Sequence, residues 1–324
     1  MLESVIGHTP VKDRLEGLLQ KKEYDRTFMF YGPPCSGKRT VAFEFIKAIL
    51  CEHKKGDGCT CQSCTRFSSG NHPDFLCIGQ GGKIRVDDVE SVINFTDVAP
   101  FLSNNKAVVI DNADVITWDV SNRLLKTLEE PPPMFIFILV TSAPDSILHT
   151  VRSRCNNIKF NALEQIDMTN VLFQRMGFEL PKARILGWIG HGSSIDIFSK
   201  AGKYLKYRDI AVDFLSGIRK RKLLDSMDFI DKIGKNDIDT FVDMVILLMT
   251  DIIMIGNGVD RIVNIDLLDD LKKLASSTNI KALTGATGNF SQIKKYQHLN
   301  INLSYAMKNV LIKSYPLLTV EPVS

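Results

Sequence analysis

The stretch TFMFYGPPCSGKRT at residues 27–40 decides the fold of this chain. Thr27–Tyr31 is apolar and aromatic, which predicts a short buried strand. The strand runs directly into Gly32–Lys38, which fits the pattern G-x-x-x-x-G-K, and apolar side chains recur at helical spacing over Thr40–Leu50. A glycine-rich loop between a strand and a helix predicts a phosphate-binding loop, because backbone N–H groups and the helix N-terminus can surround an anion.

The residue after the loop lysine departs from the usual pattern. Lys38 is expected to reach the outer phosphates, and the next residue is normally Ser or Thr, whose hydroxyl holds Mg²⁺. Here it is Arg39, whose guanidinium cannot coordinate a metal, and Thr40 points about 100° away on a helix. We therefore predict a site that can take ATP or ADP, with Mg²⁺ binding not expected. The predicted nucleotide-binding residues are Gly32, Pro33, Pro34, Cys35, Ser36, Gly37, Lys38, Arg39, Thr40 and Asp111.

Strand and helix patterns alternate along the first half of the chain and then give way to helical patterns alone. Strands are predicted at 27–31, 75–78, 107–110, 135–140 and 157–160, and helices at 4–20, 40–50, 86–95 and 121–130. Several strands are apolar throughout, which predicts a parallel sheet covered by helices on both faces. Beyond residue 160 the clearest helical periodicity covers 241–255 and 301–318, with a loop expected at Gly285–Gly288. The expected organisation is an α/β domain at 1–160, a small helical domain at 161–203 and a helical domain at 204–324.

Four of the seven cysteines lie within a short polar segment that is expected to be irregular over 51–71. Their spacing is C-x₇-C-x-C-x₂-C, and four thiolates can close a tetrahedral structural zinc site without an open position. The predicted ligands of this zinc module at 51–64 are Cys51, Cys59, Cys61 and Cys64. The alternatives are reduced cysteines without metal, or a share in ligation by His53 or His72. The other cysteines, Cys35, Cys77 and Cys155, are interpreted as ordinary loop or buried thiols.

Composition limits the remaining classes of function. The chain has 324 residues, of which 44% are apolar, and a net charge of only +3, so any nucleic-acid contact must come from a local patch. The densest basic run, Arg219–Lys222, is either a solvated helix face or such a patch. No apolar run reaches membrane-spanning length, and residues 1–20 mix acids and bases. We therefore expect a soluble cytoplasmic protein without a membrane partner.

Several motifs together carry a family resemblance. In chain order they are the phosphate-binding loop, the cysteine cluster, NHPDF at 71–75, VVIDNAD at 108–114, LLKTLEEPPP at 124–133, FILVTSAP at 137–144 and SRC at 153–155. This order resembles the bacterial clamp-loader ATPases, the delta-prime and tau/gamma subunits of DNA polymerase III. The match is strong over about the first half of the chain, and the GKRT of the loop resembles delta-prime subunits more than motor subunits.

The resemblance implies an AAA+ domain, a helical lid and an all-α collar that holds a ring of five subunits together. The implied partners are the other clamp-loader subunits (tau/gamma and delta) in a hetero-pentamer, the sliding clamp and primed DNA. It also implies that Arg154 acts as an arginine finger on a neighbour's ATP, with Arg152 as the weaker alternative. Residues 83–88 would be placed near DNA phosphates, and 5–7 either near adenine or in simple packing.

Three departures from the family's ATPases indicate that this chain hydrolyses little or no ATP itself. Arg39 replaces the Mg²⁺-binding hydroxyl, Asn112 replaces the glutamate that orients water, and Ile195 stands where an arginine would sense the γ-phosphate. The resulting hypothesis is a delta-prime-like stator. The alternatives are an ATP-hydrolysing tau/gamma-type motor subunit and a zinc-stabilised scaffold that binds DNA or protein.

Overall fold

The computed structural model describes residues 2–24, 26–53, 58–80, 84–116, 124, 127–128, 131–190, 194–218, 220–234, 237–259, 261–293 and 302–320, with the backbone alone for 194–200. The chain divides into two compact units, residues 1–167 and 168–324. Much of the helix predicted at 121–130 lies outside the described residues. The predicted further boundary at 203 falls within a continuous helix, Ser194–Gly217, and the three-domain organisation stays a prediction.

The first unit is built on a five-stranded parallel sheet, as the run of apolar strands predicts. Its strands are β1 (Thr27–Tyr31), β2 (Phe75–Ile78), β3 (Lys106–Ile110), β4 (Phe135–Thr141) and β5 (Asn156–Lys159). Their order across the sheet is β2-β3-β4-β1-β5. In the register of the central strands, Tyr31 pairs with Thr141 and Ile110 pairs with Leu139. Because the strands are parallel, the loops that follow β1, β3 and β4 all leave the sheet at the carboxyl ends of its strands.

Helices cover both faces of this sheet and enclose two apolar cores. The helices of the unit are α1 (Thr9–Lys21), α2 (Lys38–Leu50), α3 (Gln62–Ser68), α4 (Val86–Thr96) and α5 (His149–Arg154), followed by α6 (Gln165–Gln174), which crosses into the second unit. Alternation along β1 sends Phe28 and Phe30 into the core under α1 and α2, and Met29 into the opposite core under α4 and α5. The α/β fold class is thus confirmed.

The structure corrects two details of the sequence prediction in this unit. Helix α1 begins at Thr9 and not at residue 4, because His8 adopts a left-handed conformation (φ 55°) and Pro10 lies in the first turn. The segment expected to be irregular at 51–71 contains α3, whose first turn is capped by the Cys61 side chain. A seven-residue helix held by its own cysteines has too little apolar periodicity to be read from sequence.

The described residues of the second unit contain helices and no strand. These are α7 (Leu180–Ile189), α8 (Ser194–Gly217), α9 (Leu223–Asp231), α10 (Ile238–Gly256), α11 (Leu268–Ser276), α12 (Ile280–Ser291) and α13 (Leu303–Thr319). Helix α10 packs against α8, α11 and α12 and is mostly buried, so most of its apolar surface forms internal core. The prediction of a loop at Gly285–Gly288 is wrong, because both glycines lie within α12. Gly285 faces Leu317 of α13.

Among the helices that the structure describes, none is both long enough and apolar enough to cross a membrane.

Candidate nucleotide site, cysteine cluster and exposed arginine

The phosphate-binding loop joins β1 to α2 and closes around the Lys38 side chain. Lys38 is the first residue of α2 and only 5% exposed. Its Nζ donates to the carbonyl oxygens of Gly32 (2.9 Å) and Pro33 (2.5 Å) and lies 3.4 Å from Ser142 Oγ. Burial lowers the pKa of Lys38, because removal from water disfavours the ammonium form. The lysine therefore has partners that a phosphate group could replace.

Two glycines give this loop its path. Gly32 has φ 153°, and a Cβ atom there would lie 2.2 Å from the carbonyl oxygen of Phe160. Gly37 has φ 83°, immediately before α2. On the outside of the loop, His8 Nε2 lies 2.6 Å from the carbonyl oxygen of Ser36, and burial lowers the pKa of this histidine. The neutral ring thereby ties the start of α1 to the loop.

The acid at the end of β3 is paired with the unusual arginine of the loop. Arg39 Nη1 lies 3.5 Å from Asp111 Oδ2, and the other Asp111 oxygen accepts the backbone N–H of Asn112 at 3.1 Å. Burial raises the pKa of Asp111, and the Arg39 charge opposes that rise. Asn112 adopts φ 52°, and its Nδ2 donates to the carbonyl oxygen of Gly79 at 3.1 Å. Asn112 is thus engaged in holding two strand ends together.

The end of β4 is fixed by Asp114. Asp114 Oδ1 accepts the Thr141 hydroxyl at 2.8 Å and the backbone N–H of Ser142 at 3.2 Å. Thr141 Oγ1 in turn accepts the backbone N–H of Ala143 at 3.0 Å. This arrangement places Ser142 beside Lys38. The hydroxyls of Thr141 and Ser142 are therefore part of a network next to the phosphate-binding loop.

A cavity of about 400 Å³ opens next to His8. Its lining comes from the start of α1 and from the segment after β5: His8, Thr9, Pro10, Val11, Lys159, Asn161, Ala162, Leu163, Glu164 and Asp167. The volume falls in the range of small-molecule pockets. Of the 5–7 segment, Val5 is 4% exposed and packs into the core under α1, which favours packing over a base contact for that residue.

The four clustered cysteines converge as their spacing predicts. The sulfur atoms of Cys51, Cys59, Cys61 and Cys64 all lie within 4.8 Å of one another. Tetrahedral ligation of zinc at about 2.3 Å places sulfurs about 3.8 Å apart, so this donor set fits a structural zinc ion after small adjustments. Cys51 directly follows α2, Cys59 and Cys61 precede α3, and Cys64 lies in the first turn of α3. The cluster could therefore hold α2 and α3 together.

The two spare histidines have different surroundings. His53 Nδ1 lies 3.6 Å from Cys59 Sγ, at the rim of the cluster. His72 is buried, accepts the backbone N–H of Asp74 at Nδ1 (3.0 Å) and lies 2.8 Å from Ser63 Oγ through Nε2. Both ring nitrogens of His72 are thus used in hydrogen bonds, which leaves it outside the ligand set.

Arg154 lies at the C-terminal end of α5 and is exposed. The helix stops there because Cys155 is extended and leads into β5. Arg152, the alternative finger, forms an ion pair with Asp145 at 2.6 Å. Of the neighbouring thiols, Cys155 is buried, and burial raises its pKa to about 12, as expected for an ordinary core cysteine.

The basic residues of the segments 83–88 and 219–222 differ in their surroundings. Arg85 precedes α4 and is exposed, whereas Lys83 lies outside the described residues. In the run at 219–222, Arg221 stacks on Phe229 at 4.8 Å and pairs with Asp213 at 3.0 Å, so one of its charges has an internal role. Arg219 and the side chain of Ile195 also lie outside the described residues.

Asp74 is an organising residue that sequence reasoning did not single out. It is fully buried, and its carboxylate accepts three backbone N–H groups, those of Phe101, Leu102 and Ser103. In the sequence, Asp74 is visible as the acid of NHPDF, directly before a predicted strand. Without the position of the 101–103 loop, which is distant in sequence, its partners could not be predicted.

The chain is similar to subunits of DNA polymerase III, over about half of its length in some comparisons and over nine tenths in another. A family model described as DNA polymerase III, delta subunit, matches residues 7–164. The DNA polymerase III subunit delta' of Bacillus subtilis is 25% identical over 306 residues, which cover 91% of this chain and 92% of that protein. The tau subunit of the same organism is 33% identical over 163 residues, which cover 50% of this chain but only 29% of that protein.

The likeness to solved structures is weaker. The gamma subunit-related protein of Thermotoga maritima has a TM-score of 0.42 and 16% identity, with 94% of this chain and 99% of that chain covered.

Proposed function

Because this chain belongs to the AAA+ clamp-loader family, we propose that it is a delta-prime-like subunit of a DNA polymerase III clamp loader. In this role it helps to load a sliding clamp onto primed DNA, within a hetero-pentamer that also contains tau/gamma and delta subunits. The similarity to a delta' subunit over nine tenths of both chains supports this choice. The similarity to a tau subunit is confined to half of this chain.

The catalytic part of the proposal is that the chain supplies Arg154 to a neighbour's nucleotide and hydrolyses little ATP itself. The observation that supports it concerns the positions where an ATPase of the family has its Mg²⁺-binding hydroxyl and its water-orienting glutamate. In this chain the residues at both positions are bonded to other groups of the protein. Arg39 is paired with Asp111, and the Asn112 amide is bonded to Gly79, so neither a Mg²⁺-binding hydroxyl nor a general base is present there. Arg154 is exposed at the C-terminal end of α5.

The remaining parts of the site serve binding and structure in this proposal. The loop at 32–40 retains ATP or ADP through its backbone N–H groups and Lys38, and the cavity beside His8 accommodates the base and ribose. Cys51, Cys59, Cys61 and Cys64 hold one structural zinc ion. The helical second unit forms the lid and the collar that contacts neighbouring subunits, and the complex acts in the cytoplasm.

The test is the steady-state ATPase rate of the reconstituted complex with Arg154→Ala. We expect the complex to assemble normally and its turnover to fall by at least about tenfold, because an arginine finger supplied in trans contributes strongly to phosphoryl transfer. Arg152→Ala is the matched control, since it removes a second guanidinium from the same short helix, and it should change turnover little. Unchanged turnover with Arg154→Ala in an intact complex would refute the role of this residue.

A further inference from the structure

The guanidinium of Arg39 is fixed at the mouth of the phosphate-binding loop. Arg39 is the second residue of α2, and Nη1 lies 3.5 Å from Asp111 Oδ2. The same group lies over the Phe43 ring, with its carbon 5.1 Å from the ring centroid. The Asp111 side chain is only 11% exposed, whereas that of Arg39 is 43% exposed. One end of the guanidinium is thus anchored by a shielded carboxylate while the side chain remains accessible to solvent.

This arrangement does not fit a bound Mg²⁺ ion. Magnesium in such a site relies on a hydroxyl after the loop lysine and on a strand-end carboxylate. The hydroxyl position is occupied by Arg39. Of the two Asp111 oxygens, Oδ2 faces the guanidinium and Oδ1 accepts the Asn112 N–H. A divalent cation at Asp111 would also approach a fixed positive charge, which costs free energy in a partly buried site.

We propose that the Arg39–Asp111 pair takes the place of the divalent cation, so that the loop binds a nucleoside diphosphate or triphosphate without metal. The inference rests on the nucleotide binding proposed above and specifies its chemistry. A guanidinium presents its N–H donors in a planar fork that suits phosphate oxygens. Lys38 would exchange its bonds to the Gly32 and Pro33 carbonyls for phosphate oxygens, next to Arg39. Two fixed cations then face the polyphosphate where an ATPase uses one lysine and one metal ion.

The experiment is calorimetric titration of the isolated full chain with ADP, once in excess EDTA and once in excess Mg²⁺. We expect the native Kd to agree between the two conditions within about threefold, because the positive charge is part of the protein. Arg39→Thr removes that charge and restores a hydroxyl beside an unpaired Asp111. In this variant the Kd in EDTA should rise by about tenfold, the loss expected for one charge-assisted contact, and Mg²⁺ should recover most of the affinity.

Two further variants separate charge from folding. Arg39→Lys keeps the positive charge and should keep binding independent of Mg²⁺, whereas Lys38→Ala should lose binding under both conditions. The proposal is overturned if Mg²⁺ tightens native binding by more than about tenfold, if Arg39→Thr binds as tightly as the native chain in EDTA, or if the native chain binds no ADP in either buffer. None of these outcomes affects the role of Arg154, which is measured on the turnover of the complex.

Discussion

The buried pair His72 and Asp74 fixes the orientation of several backbone groups at the edge of the sheet where the strands begin. The backbone N–H of Asp74 can only donate, so His72 Nδ1 must accept and the neutral ring carries its proton on Nε2. That N–H donates to Ser63 Oγ, whose own hydroxyl donates to the carbonyl oxygen of Leu50 at 2.7 Å. The network thus links α2, α3 and the start of β2 through one tautomer.

The His72 network predicts a dependence of stability on pH. Burial lowers the pKa of His72 from its ordinary value of 6.5, so the unfolded chain takes up a proton at higher pH than the folded chain does. The unfolded state then binds more protons in that window, and the free energy of unfolding decreases as the pH falls through and below about 6.5. Protonation of Nδ1 would also replace the Asp74 hydrogen bond with two opposed donors.

The check is thermal unfolding of the native chain and of His72→Gln across this pH range. We expect the variant to be less stable at neutral pH by about 1–3 kcal/mol, the cost of a broken buried network. On acidification, however, the midpoint of the variant should fall less than that of the native chain. His8, whose pKa is lowered in the same direction, is retained in both proteins and acts as the internal reference. Parallel curves for the two proteins would contradict the assignment.

Among the elements, α3 is the one that depends most on its cysteines. It has seven residues, which is too short for a helix to be stable by itself. Phe67 on this helix packs against Phe75 at 4.7 Å, and Phe75 packs against Phe43 of α2 at 5.3 Å. Since Arg39 also lies over Phe43, the aromatic cluster connects the cysteine cluster to the phosphate-binding loop.

We therefore expect one zinc ion per native chain and its loss in Cys59→Ser. Cys59 is only partly buried, so its replacement should remove a ligand without opening a large cavity. Elemental analysis measures the zinc content, and hydrogen exchange of the amides of α3 measures its stability; exchange should accelerate when the metal is lost. Cys77→Ser is the matched control, because this thiol lies outside the cluster and its replacement should leave zinc content unchanged. Native protein without zinc would refute the interpretation of the cluster.

The elements differ in how far the sequence could predict them. Strands β1 and β2 were predicted at their observed bounds, because short apolar runs ended by glycine or polar residues leave little freedom. The start of α1 was not, because the left-handed conformation of His8 leaves no pattern in the sequence. The helical course of residues 285–288 was not either, because glycines favour a loop locally, whereas α12 is held as a helix by packing against α10 and α13. The loop and the cysteine ligands were visible as local motifs. The Arg39–Asp111 contact was not, because β4 lies between β1 and β3 in the sheet and only the fold brings their ends together.

At the scale of the whole molecule, the two units separate the proposed tasks. The first unit contains the complete sheet, the phosphate-binding loop, the cysteine cluster and Arg154. The second contains helices whose central member, α10, is mostly buried. A subunit built in this way can contribute to catalysis in a complex through one exposed side chain, while its own nucleotide loop serves as a binding element.

This division predicts that the isolated chain releases phosphate from ATP no faster than its Lys38→Ala variant. The reason is local: the Asn112 amide cannot accept a proton from water and is held by the Gly79 carbonyl, while Arg39 occupies the position of the metal-binding hydroxyl. A coupled phosphate-release assay on both purified proteins measures the rates, and the assembled complex, which should turn over ATP, shows that the assay and the protein are competent. Turnover by the isolated native chain that Lys38→Ala abolishes would contradict the stator role and favour the alternative of a motor subunit.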